Sequence, residues 1–145
     1  MTRTAKSLIL PALLIEILCA AASAGSLGNC VSYERAVVRL TGRIIIKVFP
    51  GPPNYASVEE GDKPEPAWIL HLTKPICIKA DKDDEFNVAE DKVSDIHLVL
   101  DGNQFRQLRP LMRKGAVTLT GTLFHAFNAH HHANVLMRVR GIKRQ

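Results

Sequence analysis

The run GTLFHAFNAHHHANVLMRV, from Gly121 to Val139, carries His125 and the unbroken triplet His130, His131 and His132. Neutral imidazole is the commonest metal ligand among side chains. In an extended loop His130 and His132 would share a face, with His125 across a hairpin, a set suited to zinc or copper. No cysteine or carboxylate lies near these histidines in sequence, and their spacing defines no ligand set. The competing expectation is that the run caps one end of the domain and hydrogen-bonds a second loop.

Two other clusters invite chemistry. Asp81, Asp83 and Glu85 stand at alternate positions, as in a calcium loop. An EF-hand fails, because the sixth position is Phe86 rather than Gly and the twelfth is Lys92 rather than Glu. Nucleophilic catalysis finds no support either: Ser26, Ser32, Ser57 and Ser94 stand in no GxSxG elbow. The chain is therefore expected not to be an enzyme.

Arginines form the third cluster. Arg39, Arg43, Arg138 and Arg140 alternate outward on two strand-like runs, and Tyr55 and Trp68 complete the candidate ligand-contacting set. Nucleic acid would need aromatic platforms on such a face, and Phe124 is the only outward aromatic there. The expected partner is an envelope polyanion or a protein, not nucleic acid. Formal net charge is +5, but it is unevenly spread: Asp81 to Asp95 is rich in carboxylates, and no acidic residue follows Asp101. A dipolar domain is expected.

The start of the chain is expected to be a leader. Arg3 and Lys6 precede the mostly apolar Leu8 to Leu18, and Ala22-Ser23-Ala24 has the form of a cleavage site. Residues 1–24 read as a signal peptide and 25–145 as one domain, exported to the periplasm or secreted. The apolar run is too short to span a bilayer, so no membrane insertion is expected after cleavage. Removal of Cys19 with the leader leaves Cys30 and Cys77, which in an oxidising compartment are expected to form a disulfide.

Period-two alternation locates the strands. Residues 36–48 turn Val38, Leu40, Ile44 and Ile46 inward, and 67–73 do the same with Trp68, Leu70 and Leu72. SDIHLVL, 94–100, adds Ile96, Leu98 and Leu100. Residues 116–126 and 134–142 complete five strands. The proline- and glycine-rich 49–66 reads as a long loop. Asp101 can cap a short helix with Phe105, Leu108 and Met112 on one face, limited by Pro110. The order matches an all-β, OB-fold-like five-stranded barrel with one short helix between its third and fourth strands. Matching LTG triplets, Leu40-Thr41-Gly42 and Leu119-Thr120-Gly121, place glycine where a strand must coil.

CVSYERAVVRLTGRI, FPGPPNYASVEEGDKPEPAWIL, KPICIKAD and GTLFHAFNAHHHANVL together resemble a family of small exported bacterial domains of unknown function with a GTLF-x5-HHH signature. The resemblance runs from about Cys30 to Val139. It implies a signal peptide and an envelope or secreted role. Because members sometimes sit beside lysozyme-inhibitor-like modules, it also implies lysozyme inhibition as an alternative. The family pattern has glycine before the three histidines where this chain has Ala129, so a different loop backbone is expected. The combined expectation is an exported, non-catalytic binding or interaction domain. Its working surface would be formed by the Gly51 to Pro66 and His125 to Asn134 loops, with a histidine-loop metal-binding protein as the alternative.

Overall fold

Alternating apolar residues close into a barrel wall. The computed structural model describes residues 30–144, so the expected signal peptide lies outside the described residues. Its elements are β1 (Val31–Ser32), β2 (Val38–Pro50), β3 (Pro64–Lys79), β4 (Glu90–Val99), α1 (Gly102–Leu108), β5 (Ala116–His125) and β6 (Val135–Arg144). β3 pairs with β2, β2 with β5, β5 with β6, β6 with β4, and β4 returns to β3. Five strands are thereby closed, with β4 and β6 parallel and the other pairs antiparallel. This is the expected OB-type order, with the helix between the third and fourth barrel strands.

The two LTG glycines sit where the wall bends. Gly42 faces both Leu72 of β3 and Val117 of β5, so β2 passes there from one neighbour to the other. A Cβ on Gly42 would lie 2.3 Å from the His71 carbonyl oxygen, and one on Gly121 2.3 Å from that of Arg138. Gly121 also follows a register shift in the β5–β6 ladder. Side chains are excluded because strands meet backbone to backbone at these corners.

Leu40, Ile44, Leu70, Leu72, Ile96, Leu98, Leu119, Leu123 and Met137 fill the interior. β1 is an addition the sequence pattern did not suggest: two residues lying parallel to β3 at Ile78 and Lys79. A Cys30–Cys77 disulfide anchors it. Residues 49–66 were expected as loop throughout, but the β2–β3 ladder continues through Phe49 with Glu65 and Pro50 with Pro64. Proline fits there because it stands at strand ends. The remaining 51–63 loop is tied down by buried Asp62, which accepts from the backbone N–H groups of Asn54, Ala56 and Ser57. The Ala56 and Asn54 bonds in particular hold its carboxyl below the usual carboxylate range.

The helix starts as expected. The Asp101 side chain accepts from Asn103 and Gln104, while the Gln104 side chain accepts from the Asp101 N–H, a reciprocal cap. Beyond Leu108 the chain tightens into a 3-10 turn over Arg109–Leu111, since Pro110 cannot continue the ladder. Only Leu108 of the helix is buried. Phe105, expected on the packed face, is 40% exposed and leans on Trp68 with ring centroids 4.8 Å apart. No helix among the described residues is long and apolar enough to cross a membrane.

Candidate functional site

Strand pairing lays a row across the outer wall. Ile45 faces Ile69, Ile69 faces His97, His97 faces Leu136, and Leu136 faces Phe124. Residues paired across a ladder point to the same side, so this outward row is largely apolar. Ile69, Leu136 and Phe124 are nonetheless buried. The cover comes from the loop at 126–134 and from neighbouring side chains.

His132 supplies the central piece of that cover. Its ring lies parallel to Phe49, with centroids 4.4 Å apart and 1° between planes, and stacks at 5.6 Å on His97. The His132 backbone N–H donates to His97 Nδ1. Burial, aided by the neighbouring His132 and His131, pushes the His97 imidazole down to about 4. Protonation of Nδ1 would also remove the acceptor that His132 uses. His132 Nε2 is buried without a hydrogen bond, 3.6 Å from Glu65 Oε1.

His130 donates through Nδ1 to the Glu65 carboxylate at 2.9 Å, and its Nε2 lies 3.0 Å from the Tyr55 hydroxyl. That bond from His130 holds the Glu65 carboxyl below the usual range. The histidine loop therefore does hydrogen-bond the proline-rich loop, as the competing expectation for the histidine run had it. Ala129 needs no glycine-like backbone, since among the described residues the positive-φ positions are Arg35, Tyr55, Lys92, Gly61 and Gly115.

The other two histidines go elsewhere. His125 donates through Nε2 to Glu90 at 2.8 Å, while its backbone N–H donates to the buried Asn87. His131 packs edge-on against Phe127 and Phe124, and burial lowers its imidazole. The fold thus does not gather His125, His130, His131 and His132 into the zinc or copper ligand set considered from sequence. Among the described residues no three His, Cys, Asp or Glu side chains are arranged to hold an ion. The physical reason is that carboxylates and aromatic rings distant in sequence reach these imidazoles first.

The acidic loop closes a cleft with the histidine loop. Glu34, Asp84, Phe86, Asn87, Phe124, His125, Phe127 and Arg138 line about 390 Å³. Phe86 and Phe127 are 62% and 61% exposed, and buried Phe124 lies beneath the Arg138 guanidinium, 4.2 Å from carbon to ring centroid. Arg138 also pairs with Glu34 at 3.2 Å. The loop carboxylates serve as turn acceptors: Asp81 for the Asp83 N–H, Asp84 for the Phe86 N–H and the Asn87 side chain. Arg35 pairs with Asp83.

The six candidate ligand contacts separate. Arg39, Arg43 and Arg140 are exposed on the barrel wall, and only Arg138 reaches the cleft. Tyr55 belongs to the His130 contact and Trp68 to the helix contact, so neither joins the arginines. A second polar group lies farther along the wall, where His71 and Lys47 both donate to Asp95. Burial raises the Asp95 carboxyl, but the bonds from Lys47 and His71 outweigh that and hold it low.

Residue spacing does not mark Glu65, Phe49, His97, Phe86 or Phe127 for these roles. One signal was present: Leu136 and Ile69 occupy outward positions in otherwise alternating strands, which marks a wall covered on both sides.

A family profile described as a domain of unknown function (DUF4431) matches residues 95–143. The matched segment runs from the second half of β4 through α1, β5, the histidine loop and most of β6. Searches of curated proteins and of solved structures find no match.

Proposed function

We propose that this chain is an exported, non-catalytic binding domain that seats a segment of a partner protein between its acidic and histidine loops. The observation that carries this reading is the pair Phe86 and Phe127, more than half exposed on a cleft floored by Phe124. Exposed aromatic rings around a concave surface mark interaction sites. Glu34 and Asp83 are paired with Arg138 and Arg35, and Asp84 with the adjoining Glu85 leaves the rim a net negative charge, so the fitting segment carries an apolar side chain next to a Lys or Arg. A basic enzyme of the lysozyme type has that character, which keeps the inhibitor reading within this proposal. The signal-like leader and the disulfide support export.

The test is a titration of the isotopically labelled domain with a short peptide alternating lysine and phenylalanine, beside the same peptide built from glutamate and phenylalanine. Shift changes should centre on Phe86, Asn87, Phe127 and Arg138 with the lysine peptide and vanish in Phe86→Ser/Phe127→Ser. Changes centred elsewhere, or equal responses to both peptides, would reject the cleft. Lysozyme assayed with the domain and with the double variant then separates inhibition from other binding.

A further inference from the structure

A second concave surface lies beside the helix, away from the residues of the aromatic cleft. Phe105, Arg106, Arg109, Pro110, Met112 and Arg113 line about 730 Å³. Arg106 lies in the last turn of α1, Arg109 opens the 3-10 turn and Arg113 lies in the turn that follows, and all three line this one concavity. All three are exposed. Arg106 donates to the Asn103 side chain, and among the described residues no carboxylate pairs with any of the three arginines. Elsewhere the exposed Arg35 and Arg138 do have such partners. Phe105, which packs on Trp68, and the apolar Pro110 and Met112 line the same concavity as the arginines.

We propose that this arginine groove docks on an anionic lipid surface, with lipid phosphates on Arg106, Arg109 and Arg113 and the interfacial carbon against Phe105 and Met112. Charge complementarity and the apolar strip argue for it together. Guanidinium groups recognise phosphate through paired N–H donors, and a phosphate polymer without bases or acyl chains would leave the exposed Phe105 uncovered. Aromatic and basic side chains gathered on one short stretch of surface are suited to the headgroup boundary of a bilayer. The proposal does not depend on the aromatic cleft, which contains none of these residues.

Co-sedimentation with phosphatidylcholine vesicles, with and without phosphatidylglycerol, tests it. The chain from Gly25 is the right material, because Leu8 to Leu18 would partition into a bilayer unaided and residues 30–144 hold the whole closed barrel and both disulfide cysteines. Binding is expected only when phosphatidylglycerol is present. It should fall on the order of a hundredfold in Arg106→Gln/Arg109→Gln/Arg113→Gln, each basic side chain near such a surface contributing about fivefold. Phe105→Ser should weaken it as well. Lys74→Gln/Lys79→Gln/Lys82→Gln, an equal loss of charge elsewhere, should bind nearly as the parent does. Equal loss in the two triple variants would overturn the proposal by showing diffuse charge attraction. Absence of vesicle binding, or soluble polyphosphate bound as tightly as the vesicles, would overturn it too.

Discussion

The ring of His132 lies flat against Phe49 at 4.4 Å, which fastens the loop after β5 to the far end of β2. The contact covers the outward apolar row of the barrel and leaves His132 Nε2 buried without a hydrogen bond. His132→Ala should lower stability by about 2 kcal/mol, the combined scale of a stacked pair and its buried area. His132→Phe should keep the stack and remove the unsatisfied nitrogen, so its urea midpoint is expected to equal or exceed the parent's.

His97 gives the fold a pH dependence. Its imidazole is pushed from 6.5 to about 4 in the folded protein, so between those values the unfolded chain binds more protons. Stability is full above about pH 6.5 and declines as pH falls toward 4. His131 is shifted in the same direction. Urea midpoints measured from neutral pH downward should fall for the parent and fall less for His97→Asn, which retains an acceptor for the His132 N–H without titrating.

The barrel corners should tolerate no side chain. Gly42→Ala and Gly121→Ala each force a Cβ to 2.3 Å from a carbonyl oxygen of the paired strand, so a loss of several kcal/mol is expected, in the range reserved for overpacking and backbone strain. Gly102→Ala, whose Cβ would meet nothing closer than the Arg106 guanidinium at 3.7 Å, should leave the melting temperature nearly unchanged.

The Cys30–Cys77 bond closes a separation of 47 residues. Loop-closure entropy for that length is worth about 4 kcal/mol. Cys30→Ser/Cys77→Ser should show a loss of that order in chemical unfolding. Protection of the β1 amides against hydrogen exchange should disappear first, since among the described residues the two-residue strand pairs only with β3.

The barrel was readable along the chain because its signals are local. Alternation in 38–44, 70–72 and 117–123 reports which side faces the interior, although Ile46, expected inward, is exposed beyond the barrel; the two LTG triplets mark the corners, and Asp101 marks the helix start. The parity of Cys30 and Cys77 stands for the disulfide. Each of these needs only neighbours a few residues away or a simple count. The fate of the histidines did not follow in that way. His130 and His132 meet Glu65, His125 meets Glu90, and His132 lies between Phe49 and His97. Those partners are separated by 35 residues or more along the chain and come together only when the sheet closes and sets its register. Phe86 and Phe127 likewise sit in different loops, and their common cleft is a product of that closure. Spacing in sequence names the groups able to bind something, whereas the closed sheet assigns each one its neighbour.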